Sequence, residues 1–284
     1  MERVLSTLRF VKQPLGPSLL GELATAGIAS LELYCSPFHF DYRSTDAIRE
    51  LAPRLSEHRI SLFALHSPTE RDLAPGRDTG VPISISDTER TRRIDAMDEV
   101  KRALEVAEHI PLRYLVQHIG SGRQSADPRK FDAAFNSLEH LSVFAKARGV
   151  TIALENTADE LGSPASLVQF LHETHLHDLK FCFDSGHAHI EGGVAPGLDT
   201  MRANTVFAHL HDNRGDKDEH LLPFEGSIDW PALLEPLASA PAPLPVVLEL
   251  KEQAPHQPSL DHIRQTFDKL ESQLDDLASN AARR

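Results

Sequence analysis

Short apolar segments alternate with longer amphipathic segments along almost the whole chain. Three of the short ones, VTIALE at 150–155, LKFCFD at 179–184 and LPVVLEL at 244–250, are nearly all apolar until a charged residue. Strands buried on both faces of a parallel sheet have this pattern. Eight segments are predicted to be strands: Val4–Phe10, Ser30–Cys35, Ser61–His66, Tyr114–His118, Thr151–Glu155, Lys180–Asp184, Thr205–His209 and Pro245–Glu249. Eight strands separated by helical segments predict an α/β fold, a single (β/α)8 TIM barrel.

The helical segments carry recognisable ends. Asp127-Pro128 predicts an N-cap followed by a first-turn proline, and Gly149 predicts the end of a helix through Phe131–Arg148. Asp87 or Thr88 is the predicted cap of the long helix that runs to Val106. The polar loop between the third strand and this helix has about 20 residues, a length typical of lids and binding loops.

Length and composition favour one domain spanning 1–284, since 284 residues is close to the usual size of one α/β barrel. Two cysteines are too few for a disulfide framework, and no long apolar segment is present, so we expect a soluble, cytoplasmic protein without a membrane partner. The formal charge of −13 argues against nucleic acid as a partner, because phosphate binding needs clustered Lys and Arg. A homo-oligomer is compatible with these features.

Ionisable residues collect where the predicted strands end. Six successive strands run into His66, His118, Glu155, Asp184, His209 and Glu249, and the segments that follow add His187, Asp218 and His220. The carboxyl ends of barrel strands meet at one mouth, where active sites lie. Several carboxylates at one point repel each other unless cations neutralise them. The sequence therefore predicts a divalent-metal site at this mouth.

Other polar residues give weaker signals. Histidines on predicted helices or outer loops, His39 among them, are expected to be solvated, whereas His189 and His211 are left undecided. Arg214 and Lys251 are the nearest cations to the predicted mouth and are candidates, with His187, for binding substrate.

Three motifs carry a family resemblance over almost the whole chain. LEN at 154–156, DSGH at 184–187 and HLHDNRGDKDEHLLPFEGSIDW at 209–230 resemble the xylose isomerase-like TIM barrel superfamily. This superfamily includes sugar and sugar phosphate isomerases and epimerases as well as endonuclease IV-type apurinic endonucleases. The resemblance to the isomerase and epimerase branch implies that Glu155, Asp184, His209 and Glu249 bind the metal and that His187 contacts substrate.

The endonuclease branch is the alternative, because its three-zinc site uses nine ligands and all nine positions have a ligand-type counterpart in this chain. His66, His118, His187, Asp218 and His220 would be the additional metal or substrate residues. Several motifs depart from that branch. Ile-Gly follows His118 in place of Pro-Gly, DSGH replaces Asp-Thr-Cys-His, and His-Asp-Asn replaces Asn-Asp-Ser or Asn-Asp-Ala before a lysine.

The leading hypothesis is a divalent-metal-dependent sugar or sugar phosphate isomerase or epimerase of carbohydrate metabolism, with a small carbohydrate as substrate. Zinc, manganese, magnesium or cobalt would polarise the carbonyl. Glu155 and Glu249 would be the catalytic acid and base that move a proton through an enediolate. A zinc-dependent apurinic endonuclease, or a dehydratase of a polyol or inosose, would use the same residues.

Overall fold

A closed barrel of eight parallel strands forms the centre of the molecule, and helices occupy the connections between strands. The computed structural model describes residues 1–71, 80–120, 125–239, 243–251 and 258–281. The fold is the predicted (β/α)8 TIM barrel.

The barrel strands are β1 Arg3–Ser6, β2 Ser30–Tyr34, β3 Ser61–His66, β6 Tyr114–Gln117, β7 Thr151–Glu155, β8 Lys180–Asp184, β9 Thr205–Leu210 and β10 Val246–Leu248. Going around the barrel, they follow the order β1-β10-β9-β8-β7-β6-β3-β2, and β2 closes the ring on β1. The α-helices in the described ranges are α1 Pro17–Thr25, α2 Thr45–Glu57, α3 Arg90–Glu105, α4 Pro128–Lys146, α5 Pro164–Thr174, α6 Ser185–Glu191, α7 Val194–Met201, α8 Trp230–Ala238 and α9 Leu260–Ala281. None of the helices in these ranges has the length and apolar character needed to cross a membrane.

All eight predicted barrel strands are present, and apart from the end of the first strand their bounds lie within one residue of the predicted ones. The first strand ends at Ser6 rather than Phe10, because Thr7–Phe10 forms a 3-10 helix whose first turn is capped by the Ser6 side chain. Helix α3 is capped by Glu89 rather than by Asp87 or Thr88, since the Glu89 carboxylate accepts the first free backbone N–H groups of the helix.

The long loop after β3 has structure of its own. Its two ends pair as a short antiparallel hairpin of β4 Glu70–Arg71 and β5 Val81–Pro82, and residues 72–79 lie outside the described ranges. Thr69, Glu70 and Pro82 face the cleft at the barrel mouth. The loop thus contributes to the wall of that cleft.

The core has two layers. Eight buried residues, among them Phe63, Cys182 and Phe207, form an apolar cluster of their own, and a much larger cluster packs the helices against the strands. Buried apolar residues before each strand end fix the strands, so the polar residues that terminate them are held in place at the mouth.

Candidate metal centre at the barrel mouth

The structure brings all nine predicted ligand residues together. Glu155, Asp184 and His209 are fully buried, and His66, His220 and Glu249 are nearly so. Their side-chain atoms fall into overlapping sets in which candidate ligand atoms lie within 4.8 Å of one another. We call Glu155, Asp184, His209 and Glu249 the inner group, His66, His118 and Glu155 the side group, and His187, Asp218 and His220 the outer group.

In the inner group, one histidine nitrogen faces three carboxylates. His209 Nδ1 lies 3.3 Å from Glu155 Oε1, 3.6 Å from Glu249 Oε2 and 3.9 Å from Asp184 Oδ2. Both His209 Nδ1 and Glu155 Oε1 are buried, and neither has a hydrogen-bond partner among the described residues. A buried polar atom left in this way is costly, and a cation between these atoms would remove the cost. The inner group therefore fits a divalent ion.

The side group joins two histidines to the same carboxylate. Glu155 Oε2 lies 3.2 Å from His66 Nε2 and 3.0 Å from His118 Nε2. Glu155 thus belongs to two groups, one through each of its oxygens.

In the outer group, Asp218 and His220 lie on the loop between β9 and α8, whereas His187 lies in α6. His220 Nε2 lies 2.9 Å from Asp218 Oδ2, and His187 Nε2 lies 3.7 Å from the same oxygen. Lys251 Nζ binds this oxygen at 2.6 Å, so a positive charge already balances the Asp218 carboxylate. A fourth combination, His211, His220 and Glu249, overlaps the inner and outer groups.

Hydrogen bonds behind the rings fix which nitrogen of each histidine faces the mouth. His66, His187 and His220 each direct Nδ1 at a backbone carbonyl, those of Ser67, Asn156 and Glu249 respectively, at 2.9 Å. A carbonyl only accepts, so Nδ1 carries the proton and donates it. Nε2 then has a free lone pair toward the carboxylates when the ring is neutral, which is how metal-binding histidines are commonly held.

The field of the carboxylates raises the pKa values of several histidines. Burial opposes the charge on His66, but Glu155, with Glu249 and Glu32, outweighs it and raises the pKa of His66 to about 9. For His187, Asp184 and Asp218 likewise outweigh burial and raise the pKa to about 10. The mouth therefore attracts positive charge, whether as protons or as metal ions.

The carboxylates remain ionised for the reciprocal reason. Burial alone would favour the neutral acid, but His209 and His118 hold the pKa of Glu155 well below its usual range. His209 and His220 lower the pKa of Glu249 in the same way. The pKa of His220 shifts in the opposite direction to those of His66 and His187, because burial and the charges of His211 and Lys251 lower it. A neutral His220 beside ionised carboxylates is in the protonation state that binds metal.

His211, left undecided by the sequence, is part of the site. Its Nε2 lies 3.1 and 3.0 Å from the two oxygens of Asp184, and its ring stacks on that of His220 with centroids 3.8 Å apart. A Cβ at position 186 would lie 2.0 Å from His211 Cε1, so the glycine of DSGH makes room for this ring. His211 connects the Asp184 carboxylate of the inner group to the ring of His220 in the outer group.

Two further motif residues hold strands and loops together. The Asn156 amide donates to the backbone carbonyl of Asp184 and accepts from its N–H, which ties the end of β7 to the end of β8. The buried Asp212 carboxylate accepts from Trp230 Nε1 and from the backbone N–H groups of Asn213, Phe224 and Ile228. Asp212 thus anchors the loop that carries Asp218 and His220.

Above the groups lies a cleft of about 400 Å³. Glu155 and Glu249 line it together with four histidines and apolar residues: His66, His118, His187, His220, Leu8 and Ile190. Small-molecule sites have volumes of about 300–1,000 Å³, so the cleft is of a size to hold a small ligand against the inner group.

The candidate substrate cations differ in position. Lys251 lines the cleft and pairs with Asp218. Arg214 is exposed, pairs with Glu219, and is not among the residues that line the cleft. The interpretation of His39 as a solvated residue is wrong, because its ring is buried and bonds the Gln13 carbonyl through Nδ1.

Glu32 is a residue of the site that sequence reasoning missed. It lies in the middle of β2, is fully buried, and places Oε2 at 2.9 Å from His209 Nε2. The segment SLELY is an ordinary alternating strand pattern, and the contact spans 177 positions in the chain. A carboxylate on a strand otherwise buried on both faces was the one available signal.

Comparisons with known proteins agree with this architecture. The family model described as Xylose isomerase-like TIM barrel matches residues 20–272. A solved D-tagatose 3-epimerase-like protein superposes with a TM-score of 0.80 at 21% identity, covering 99% of this chain and 100% of that chain. An L-ribulose 3-epimerase superposes with a TM-score of 0.79 at 16% identity, covering 99% of this chain and 97% of that chain. The IOLI protein with a bound zinc atom superposes with a TM-score of 0.71 at 18% identity, covering 99% of each chain. At these identities the likeness to each structure is one of fold.

Proposed function

The chain belongs to the xylose isomerase-like TIM barrel family, and from this premise we propose that it is a divalent-metal-dependent sugar isomerase or epimerase. The observation that carries the proposal is the inner group, in which His209 Nδ1 faces Glu155, Asp184 and Glu249 within 3.9 Å and of which Glu155 and Glu249 line the cleft. Solved proteins of the same fold include an L-ribulose 3-epimerase and a protein with bound zinc, which supports both the substrate class and the metal.

Glu155, Asp184, His209 and Glu249 would hold the ion. When bound, a divalent ion supplies Lewis acidity, which makes the hydrogens on carbon next to a substrate carbonyl more acidic. Its charge also offsets part of the repulsion among the carboxylates of the inner group, which burial makes strong.

The two glutamates of this group would transfer the proton. Both are ionised at neutral pH, because the surrounding histidines lower the pKa of each carboxyl. One glutamate would remove the proton from carbon next to the carbonyl, and the other would return one. If the proton is returned to the neighbouring carbon, the sugar is isomerised. If it is returned to the opposite face of the same carbon, the configuration at that carbon is inverted.

The remaining residues of the cleft would bind and orient the substrate. His187 lies at the edge of the inner group, with Nδ1 fixed by the Asn156 carbonyl and Nε2 directed toward Asp218. Lys251 and Asp218 form a charged pair on the cleft wall, suited to hydroxyl groups that both donate and accept. Leu8 and Ile190 supply apolar surface beside them.

Solvent exchange tests this function. Wild-type protein with Mn²⁺ is incubated in D₂O with D-tagatose, L-ribulose and D-fructose, and deuterium on carbon is followed by proton NMR. We expect Glu155→Gln and Glu249→Gln to fold normally and to lose exchange. The control Glu99→Gln, which removes a buried carboxylate that does not line the cleft, should keep wild-type exchange. Full exchange in both mouth variants would refute the assignment of the two glutamates.

One observation favours a second candidate, a zinc-dependent phosphodiester hydrolase of the apurinic endonuclease type. The side and outer groups stand beside the inner group, giving three sets of ligand-type atoms. Elemental analysis separates the candidates: three zinc ions per chain with cleavage of an abasic duplex supports the hydrolase. One ion per chain without cleavage supports the isomerase or epimerase.

A further inference from the structure

The histidines of the mouth differ in what holds them from behind. His66, His187 and His220 each donate Nδ1–H to a backbone carbonyl, which is neutral and supplied by the fold itself. His209 is turned the other way, with Nδ1 toward the carboxylates of the inner group and Nε2 at 2.9 Å from the Glu32 side chain. Unlike those three rings, the ring in the centre of the inner group is thus held from behind by a charged side chain.

Glu32 occupies a costly position for a carboxylate. It is fully buried, and on the ladder of β2 it pairs with Ser6 of β1 and Ala64 of β3. Among the described residues, His209 is its only hydrogen-bond partner, and Oε1 has none. A buried ion pair contributes little net stability, because replacing both partners with apolar residues of similar volume is often neutral or stabilising. Packing alone therefore does not account for Glu32.

Glu32 is also separate from the candidate ligands. It belongs to none of the four sets of ligand-type atoms found in the described part of the chain. It lies on β2, whereas His209 lies on β9, and β1 and β10 stand between these strands on the ring. Glu32 therefore reaches His209 across the barrel interior rather than along a neighbouring strand.

We propose that Glu32 is a positioning residue that accepts the Nε2–H of His209 and so keeps the Nδ1 lone pair directed at a metal ion in the inner group. The negative charge behind the ring also makes Nδ1 a stronger donor to that ion, as carboxylates behind metal-binding histidines do. This inference rests on the metal site of the proposed function, but it concerns affinity and ring geometry rather than turnover.

Metal affinity measures this role directly. Purified full-length protein is stripped with chelator and titrated with Zn²⁺ and with Co²⁺ against a chromophoric competitor. We expect Glu32→Gln, which keeps the shape and an acceptor but removes the charge, to weaken binding at the tightest site by about 10–100-fold. The matched control Glu99→Gln removes another buried carboxylate and should bind as wild type does.

Nitrogen-15 NMR of the zinc-loaded wild-type protein provides a second readout that a merely structural role would not move. The proposal requires a protonated Nε2 and a zinc-bound Nδ1 on His209. If circular dichroism shows that Glu32→Gln does not fold, Glu32→Asp is used in its place. This variant retracts the carboxylate by one methylene, and we expect the same loss of metal affinity.

Three outcomes would overturn the inference. One is Zn²⁺ affinity in the folded variant within twofold of wild type, and another is a His209 ring protonated on Nδ1 in the zinc-loaded protein. Wild-type protein that binds neither Zn²⁺ nor Co²⁺ would remove the metal site of the proposed function as well. Normal binding in both wild type and Glu32→Gln would remove the role of Glu32 alone.

Discussion

At the scale of single residues, the chemistry of the mouth depends on which neighbours hold each ligand. Glu155 serves two groups because His66 and His118 share one of its oxygens while His209 faces the other. His211 lies against both oxygens of Asp184 and leaves no space for a side chain at position 186. The residues that tune the site are therefore as specific as the ligands themselves.

Gly186→Ala tests this crowding. Alanine is a better helix former than glycine and position 186 lies in α6, so helix propensity favours the variant. The new Cβ would meet the His211 ring at 2.0 Å, and we expect a loss of about 1–3 kcal/mol in the free energy of unfolding. Denaturant unfolding measures this loss. Gly192→Ala is the control, since a Cβ at position 192 would have no atom of the described residues within 4 Å.

The double variant Gly186→Ala with His211→Ala completes this test. Removing the ring removes the clash, so the two substitutions should be non-additive by about 0.5–3 kcal/mol, as contacting pairs are. Additive effects would show that position 186 and the His211 ring do not share space in solution.

At this scale the sequence indicates the candidate ligands but not the residues that support them. His66, Glu155, Asp184, His209 and Glu249 were predicted because each follows an apolar strand, and all converge as expected. Glu32 lies inside a strand rather than at its end, so the same rule passes over it. A pair such as Glu32 and His209 is set by the closure of the barrel, which no local pattern encodes.

At the scale of elements, the strands were predictable and some connections were not. Continuous burial on both faces identifies the eight barrel strands, whereas the end of β1 at Ser6 depends on a local side-chain cap. The Glu89 cap of α3 was missed because Asp87 and Thr88 are commoner capping types in the same stretch. Cap choice is decided by the direction in which the chain enters the helix, a tertiary property.

The loop between β9 and α8 gives a prediction at the element scale. Asp212 accepts four donors there, and in Asp212→Asn an amide NH₂ would replace one of the accepting oxygens. We expect the free energy of unfolding to fall by about 1–3 kcal/mol, because a backbone or indole donor is left unsatisfied. In this variant, amide hydrogen exchange at 213–228 should become faster than in wild type. Metal binding at the outer group should become weaker than metal binding at the inner group.

Asp216→Asn is the matched control for this loop, since Asp216 is an exposed acid on the same segment. Its unfolding and hydrogen exchange should equal those of wild type. Equal exchange in the two variants would mean that Asp212 does not anchor the loop.

At the scale of the whole molecule, stability and metal binding should respond to pH in opposite directions. His66 and His187 have pKa values raised to about 9 and about 10 by the carboxylates, against an ordinary value of 6.5. A raised pKa stabilises the folded state fully below pH 6.5, and this contribution is lost as pH rises toward 9 and 10. The metal-free protein should therefore melt at lower temperature as pH rises through this window.

Metal ions should reverse this trend. Histidines bind metal as neutral rings, so affinity increases as protons leave. The rise in Tm caused by Mn²⁺ over chelator should grow between pH 6.5 and 9, both for wild type and for His140→Ala, which removes an exposed histidine. A rise in Tm that stays flat or shrinks over that range would contradict the proposed role of these histidines.

The metal content of His209→Ala tests the central claim most directly. After dialysis against Zn²⁺ and removal of free ion, elemental analysis counts the ions per chain in wild type, His209→Ala and His140→Ala. We predict at least one tightly held ion in wild type and in His140→Ala, and its loss from folded His209→Ala. Wild type without a bound ion, or His209→Ala with the wild-type content, would contradict a metal centre built on the inner group.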